Sequence, residues 1–277
     1  MNTRSFPSPT QLLLLAALLG AAFFVLRPSQ QDATVSRWRP GDAPAPIAGD
    51  AQPITGEAQP LPVGLLTVRA GDGLYAAERA ELTADLEQAL AYVSARFGGS
   101  LSGPVTAALL YDAGCGLSGV AYTDIRQVQV HSCPSIARGR AVAIMAHEFV
   151  HQLQQDRYGE RHLGADLILS EGMATWGAGS YWLGGHPDFR SYVREQRAAG
   201  SFYPLATHYS GLGIGAMNTL YYQWASFVEF LVQTYGREKL DQVYVTGAGD
   251  PGSADYAAVY GKGLDALERE WVAWLDG

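Results

Sequence analysis

An α+β fold is predicted for this chain of 277 residues by the order of its secondary-structure patterns. Strand-length apolar segments come early in the folded part and helical patterns dominate after them, which is typical of α+β proteins. A composition of 48% hydrophobic and 17% charged residues indicates a globular protein and excludes wholesale disorder. The formal net charge of −8 argues against a nucleic-acid partner, which would require a basic face.

The first 30 residues contain an uninterrupted apolar run at positions 12–26, which Arg4 precedes. The run is shorter than the roughly 20 residues of a membrane-spanning helix. Residues 1–30 are therefore read either as a cleaved signal peptide or as an uncleaved membrane anchor, and a buried core helix is disfavoured because the run has no polar face. Both favoured alternatives place the rest of the chain outside the cytoplasm, either secreted or held by the inserted N-terminal segment.

Residues 31–63 are predicted to form a flexible linker, because six prolines occur there and the segment has no apolar period. The remaining residues, 64–277, are predicted to form one domain that is large enough for a substantial core. This domain contains both cysteines of the chain, Cys115 and Cys133. In an exported protein we expect them to form a disulfide, and the alternative is two buried free thiols.

The elements of the domain follow from apolar periodicity and from the glycines that end helices. Strands are predicted at 65–68, 105–111, 120–123 and 127–131. Helices are predicted at 75–97, 138–156, 167–179, 189–198, 221–235 and 264–275. The third and fourth strands are read as a hairpin, or as an edge strand with one half-buried face. We expect the fourth strand to be the one to which an extended substrate backbone adds.

The segment HEFVH, residues 147–151, lies inside the predicted helix 138–156. His147 and His151 are four positions apart and lie on one helix face, so both imidazoles can reach the same ion. Glu148 lies about one hundred degrees further round the helix. It would stand beside a metal-bound water, where a carboxylate can accept a proton. Zinc is the expected metal because imidazole nitrogens are among its preferred ligands.

A third ligand is predicted at Glu171, twenty residues after His151. It stands near the start of the predicted helix 167–179, and a turn at 158–164 would let that helix fold back beside the first. Three protein ligands with a fourth position open to water are the arrangement of catalytic zinc sites. The alternative is a surface helix with solvated side chains, but apolar neighbours such as Phe149 indicate burial.

The motifs HEFVH, LSEGMATW, LYYQWASFVEFLVQTYG and AAVYGKGLDALEREWVAWL resemble those of the gluzincin zinc metallopeptidases, the peptidase MA-like group. The resemblance spans residues 65–277, and its first two motifs are more specific than its last two. It implies a zincin (thermolysin-like) fold, with a small mixed sheet and an active-site helix followed by a mostly helical part. It also implies that His147, His151 and Glu171 bind one zinc ion per chain, and that Glu148 is the general base and proton shuttle.

The resemblance to members similar to aminopeptidase N further implies a tyrosine whose hydroxyl stabilises the oxyanion of the reaction. The best match is Tyr221, with Leu231 ten residues later, and Tyr222 is the competing candidate. The alternative for Tyr221 is a position in the aromatic core. No Gly-x-Met-Glu-Asn segment precedes HEFVH in the sequence, so the resemblance does not extend to aminopeptidase specificity.

Several other polar and aromatic residues are expected to have structural roles. The remaining histidines show no ligand spacing to one another, and the tryptophans are expected in the core. Asp156 is read either as a hydrogen-bond partner of a ligand imidazole or, as favoured here, as a solvated residue at a helix end. The histidines and tryptophans concerned are His131, His162, His186, His208, Trp176, Trp182 and Trp224.

These features predict an exported zinc metallopeptidase that acts on a peptide or protein substrate. One alternative is a zinc hydrolase of a non-peptide amide or ester. Another is a non-catalytic binding domain that keeps the fold, although a complete HEFVH motif with Glu171 counts against it. The sequence carries no prediction of the oligomeric state.

Overall fold

The computed structural model of the protein describes residues 64–71 and 73–277. The predicted N-terminal segments, 1–30 and 31–63, lie outside the described residues. Within the described part, no helix combines the length and hydropathy needed to cross a bilayer. The strands are β1 (Leu66–Ala70), β2 (Val105–Tyr111), β3 (Ser118–Tyr122) and β4 (Gln127–Ser132). The helices are α1 (Arg79–Phe97), α2 (Arg138–Tyr158), α3 (Leu167–Ala178), α4 (Ser180–Leu183), α5 (Phe189–Ala198), α6 (Ile214–Tyr235), α7 (Arg237–Tyr244), α8 (Tyr256–Tyr260) and α9 (Leu264–Asp276).

The four strands form one mixed sheet in the order β1-β2-β4-β3. β1, β2 and β4 run parallel, and β3 is antiparallel to β4. The α+β class and the β3–β4 hairpin are therefore confirmed. The expectation that residues 127–131 form the edge strand is wrong, because β4 pairs with β2 on one side and with β3 on the other. The hairpin strand at the edge of the sheet is β3.

The sheet packs against α2, which also contacts α1. Side chains of β4 alternate along the strand, with Val128 and Val130 fully buried on one face. On α2, Met145, Phe149 and Val150 are fully buried as well. Each such side chain contributes about 1.5–3 kcal/mol relative to an exposed one. This burial fixes α2 on the sheet and with it the orientation of the HEFVH segment.

Several helix boundaries differ from the prediction, and each difference has a local cause. α1 begins at Arg79, after a short 3₁₀ turn, because Tyr75 adopts a left-handed φ of 51°. α6 begins at Ile214, two turns before the predicted start, because Gly213 stands directly before its first turn. Gly236 ends α6 and also stands directly before α7. The prediction treated this glycine only as a helix end, and it therefore missed α7. α4 and α8 are too short to show an apolar period.

Asp166 fixes the beginning of α3. Its buried side chain accepts a hydrogen bond from the N–H of Ile168, at 2.9 Å, and thereby caps the helix. It also accepts from the N–H groups of Gly252 and Ala254 and from the hydroxyl of Tyr256, at 2.9–3.1 Å. The segment around the start of α8 is therefore tied to the first turn of α3.

Cys115 and Cys133 form a disulfide with a Cα–Cα distance of 5.1 Å, which confirms the expected pairing. It joins the loop before β3 to the residue that follows β4. Replacing both cysteines with serine is expected to lower the free energy of unfolding by about 3 kcal/mol, because the bridge restricts the unfolded chain. Denaturant unfolding of the double variant measures this loss, and reduced wild-type protein is the control. A loss below about 1 kcal/mol in both would contradict the prediction.

Candidate metal centre

α2 presents His147 and His151 on the same face, one helical turn apart. Their Nε2 atoms are 3.2 Å apart and their rings meet edge to face. His147 is only 4% exposed, and Ala146, the residue directly before it, is fully buried. The alternative of a surface helix with two solvated histidines is therefore wrong.

Glu171 reaches the same point from α3. The chain turns back after α2 through a 3₁₀ segment, Gly159–Gly164, and α3 then packs against α2. The Oε2 atom of Glu171 lies 3.1 Å from Nε2 of His147 and 3.6 Å from Nε2 of His151. The three donor atoms lie within 4.8 Å of one another, so this group could hold a metal ion. The predicted approach of Glu171 to the two histidines is confirmed.

Two neighbouring side chains orient the imidazoles. Gln154 must direct its NH₂ group toward the carbonyl oxygen of Ser170, 2.8 Å away, because a carbonyl can only accept. Its Oε1 therefore accepts from Nδ1–H of His151, at 2.8 Å. Nδ1 of His147 lies 3.4 Å from the hydroxyl of Thr175. With one proton of His151 held on Nδ1, its Nε2 is the atom that faces the other two donor atoms, as a metal ligand requires.

The charges of this group are strongly coupled. Burial lowers the pKa of His151, but Glu171, Glu148 and Gln154 together outweigh burial and raise that pKa to about 9. Burial likewise raises the pKa of Glu171, but His151 and His147 bring it well below its usual range. Burial lowers the pKa of His147. These shifts favour a protonated His151 beside a charged Glu171, and a metal ion that binds Nε2 of His151 would displace a proton.

Glu148 lies beside the donor group and against the edge strand. It is 6% exposed, and burial raises the pKa of its carboxyl to about 7, although the charge of His151 opposes the shift. Its carboxylate touches the backbone of Gly119 in β3. A Cβ atom at Gly119 would overlap Oε1 of Glu148 and would stand 2.8 Å from its Cδ and 2.6 Å from Cγ2 of Ile144. The glycine therefore makes room for the carboxylate.

The two candidate tyrosines point to different places. The ring of Tyr221 stacks on the ring of His147, with centroids 5.8 Å apart and planes 2° from parallel. Burial and the nearby Glu171 carboxylate raise the pKa of its hydroxyl. Tyr222 instead donates to the carbonyl oxygen of Trp182, at 2.7 Å, and stacks on Tyr192. Of the two, only Tyr221 contacts the donor group.

The close contact between α3 and α6 brings Tyr221 to Glu171. Gly172, the residue after Glu171, lies against the backbone of α6, where an added Cβ would stand 2.7 Å from the carbonyl oxygen of Trp224. Trp224 itself is fully buried, as predicted. The glycine of the SEGMA segment therefore sets the spacing of the two helices.

Two residues near the donor group were predicted to be structural. Trp182 is only partly buried, and its ring packs against His147 at 5.1 Å. The ring of His162 lies 5.9 Å from the ring of His151, and its Nδ1 is 2.8 Å from the hydroxyl of Tyr244. The position of His162 in the turn between the HEFVH helix and Glu171 is a sequence signal that could have indicated this proximity.

Other predicted positions lie elsewhere. Both readings of Asp156 are wrong, because its carboxylate is 7% exposed and binds the guanidinium of Arg126, with distances of 2.5 and 2.9 Å. His186 is 3.7 Å from the carboxylate of Glu195, and Nδ1 of His208 accepts from the N–H of Ser210. Trp176 lies under Arg96, and His131 belongs to β4.

The chain was compared with protein-family models and with curated proteins. No family model matches the chain, and no curated protein matches it either.

Proposed function

We propose that the protein is a zinc metallopeptidase with a zincin fold, which hydrolyses peptide bonds outside the cytoplasm. The observation that carries the proposal is the convergence of His147, His151 and Glu171, with the buried Glu148 between this group and an edge strand. A small mixed sheet, an active-site helix on it and a helical second half support the fold assignment.

The spacing of the donor atoms supports zinc. Bonds of about 2.0–2.1 Å in tetrahedral geometry separate neighbouring ligand atoms by about 3.3–3.4 Å. The corresponding distances among His147, His151 and Glu171 are 3.1, 3.2 and 3.6 Å. Two imidazoles and one carboxylate are also a ligand set that zinc accepts with a fourth position left for water.

The residues around the donor group have complementary roles in the proposed reaction. When bound, zinc would polarise the scissile carbonyl and lower the pKa of water. Glu148 accepts a proton from the attacking water and later delivers it to the leaving amine. The Tyr221 hydroxyl, whose ring stacks on His147, donates a hydrogen bond to the developing oxyanion.

The edge strand β3 supports an extended peptide as the substrate. Its outer side has no partner strand within the described chain, and Gly119 touches the carboxylate of Glu148. An extended peptide that adds to β3 would therefore pass directly beside the proposed general base. The Cys115–Cys133 disulfide supports an oxidising, extracytoplasmic location.

The test uses the full chain, loaded with zinc and incubated with a diverse peptide library. We expect cleavage that is lost after treatment with a chelator and restored by zinc, with about one zinc ion bound per chain. Mass spectrometry of the products identifies the cleaved bonds. Zinc binding with no peptide cleavage would favour the hydrolase of a non-peptide amide or ester or the binding domain. Absence of metal binding would overturn the proposal.

A further inference from the structure

The two histidines of the donor group are held in different ways. Nδ1 of His151 lies 2.8 Å from Oε1 of Gln154, an ordinary hydrogen-bond length. Nδ1 of His147 lies 3.4 Å from the hydroxyl of Thr175, which is long for a hydrogen bond. This polar contact constrains the imidazole of His147 only weakly, so the orientation of that ring depends on the side chains that pack against it.

Two aromatic rings pack against the imidazole of His147. The ring of Trp182 lies 5.1 Å from it, the ring of Tyr221 lies 5.8 Å from it, and these two rings are 6.1 Å apart. Rotation of the imidazole would therefore displace at least one of its neighbours. In the packed orientation, Nε2 of His147 is 3.2 Å from Nε2 of His151 and 3.1 Å from Oε2 of Glu171.

Trp182 is itself held from two directions. Its indole Nε1 donates to the carbonyl oxygen of Ala143, at 3.3 Å, one turn before His147 in α2. Its backbone carbonyl oxygen accepts from the hydroxyl of Tyr222 in α6, at 2.7 Å. The indole is therefore bonded to the helix that carries both histidines, and the backbone of the same residue is bonded to α6.

The short helix α4, to which Trp182 belongs, depends on such contacts. It has only four residues, and the glycines on either side, Gly179 and Gly184, have φ values of 51° and 57°. A single helical turn is not stable through its own hydrogen bonds. The buried side chain of Leu183 anchors one end of α4. The hydrogen bond from Tyr222 fixes the backbone of Trp182 itself.

We propose that Trp182 is a positioning residue for metal binding and that Tyr222 acts through it. Trp182 holds the imidazole of His147 in the orientation that brings Nε2 to the other two donor atoms. Tyr222 holds Trp182 against that imidazole, although it does not contact the donor group itself. The inference rests on a metal ion at the His-His-Glu group, which is part of the proposed function, but it does not rest on peptide cleavage.

The experiment compares zinc binding by the full-length wild type, Trp182→Leu, Tyr222→Phe and the double variant. Zinc affinity is measured by competition with a chromophoric chelator, at a temperature at which circular dichroism shows each variant to be folded. Trp182→Leu is expected to weaken zinc binding about 10- to 100-fold, as is usual when a group that orients a ligand is removed. Tyr222→Phe removes one hydrogen bond and is expected to weaken it about 3- to 10-fold. In the Trp182→Leu background it should cause no further loss, because no indole remains to be held.

A spectroscopic measurement separates positioning from a general loss of stability. The visible absorption of Co²⁺ bound in place of zinc depends on the geometry of the ligands, and we expect Trp182→Leu to change it. Trp274→Leu is the matched control, because Trp274 is a partly buried tryptophan of α9 that packs against Arg190 and Phe230. It should keep the zinc affinity and the Co²⁺ spectrum of the wild type.

The possible outcomes distinguish this inference from the proposed function. Wild-type zinc affinity in Trp182→Leu, or a loss of affinity with an unchanged Co²⁺ spectrum, would overturn the role of Trp182. Equal losses from Tyr222→Phe in both backgrounds would overturn the role of Tyr222. A wild-type chain that binds no zinc would overturn the inference together with the proposed function. The expected losses in a protein that cleaves no peptide would support the inference and contradict only the peptidase proposal.

Discussion

Glu148→Gln is expected to lower kcat for peptide cleavage by about 100- to 10,000-fold, the usual contribution of a general base. The amide keeps the shape of the side chain but cannot accept a proton from water. Glu148 is outside the group of donor atoms that could hold the metal, so the variant should still bind zinc. Initial rates at saturating zinc and peptide, together with the zinc content per chain, measure the two effects separately.

Glu160→Gln is the control for this variant, because Glu160 is exposed in the turn after α2. It removes the same charge from the chain and should cleave at the wild-type rate. Undiminished cleavage by Glu148→Gln would contradict the proposed mechanism. Loss of zinc together with activity would show that Glu148 acts on the metal site rather than on the proton.

Gly119→Ala is expected to lower kcat by about 100-fold and to lower the melting temperature modestly, because its methyl group would also stand 2.6 Å from Cγ2 of Ile144. The added methyl group would overlap Oε1 of Glu148 and stand 2.8 Å from its Cδ. The carboxylate is the end of a flexible side chain, so it can move away without unfolding the protein. A catalytic group that is displaced by about 1 Å loses about two orders of magnitude in rate.

Ser118→Ala is the matched control, since Ser118 is the exposed neighbour of Gly119 in β3. It adds no atom near Glu148 and should leave kcat and the melting temperature unchanged. Wild-type kcat in Gly119→Ala would contradict the placement of the Glu148 carboxylate against β3. A large fall in melting temperature would assign the glycine to the packing of Ile144 instead.

The sequence was most informative where the chemistry depends on local spacing. His147 and His151 lie on one helix face because four residues make about one turn. Glu171 was predicted to fold back beside them, and the short turn after α2 allows it. The Cys115–Cys133 pairing was predicted from the cysteine count and an exported location, and the structure contains it.

Features that depend on contacts between distant parts of the chain could not be predicted from the sequence. The alternation of β4 indicates one buried face, but it does not reveal that β2 pairs with β4 across about twenty residues of chain. Asp156 was taken for a helix-end residue because its partner, Arg126, belongs to the hairpin turn. Trp182 has no characteristic spacing from HEFVH, and only the packing of helices brings it near His147.

The buried carboxylate of Asp166 has a consequence for the order in which the protein assembles. Its partners at residues 252–256 are synthesised more than eighty residues after it. Until they emerge, the first turn of α3 has a charged side chain without most of its hydrogen bonds, and that turn leads directly to Glu171. In a nascent chain that ends before this segment, the two histidines would lie on a helix, but Glu171 would not yet have a fixed position. Stable binding of the proposed metal ion is therefore expected only once residues 252–256 are in place.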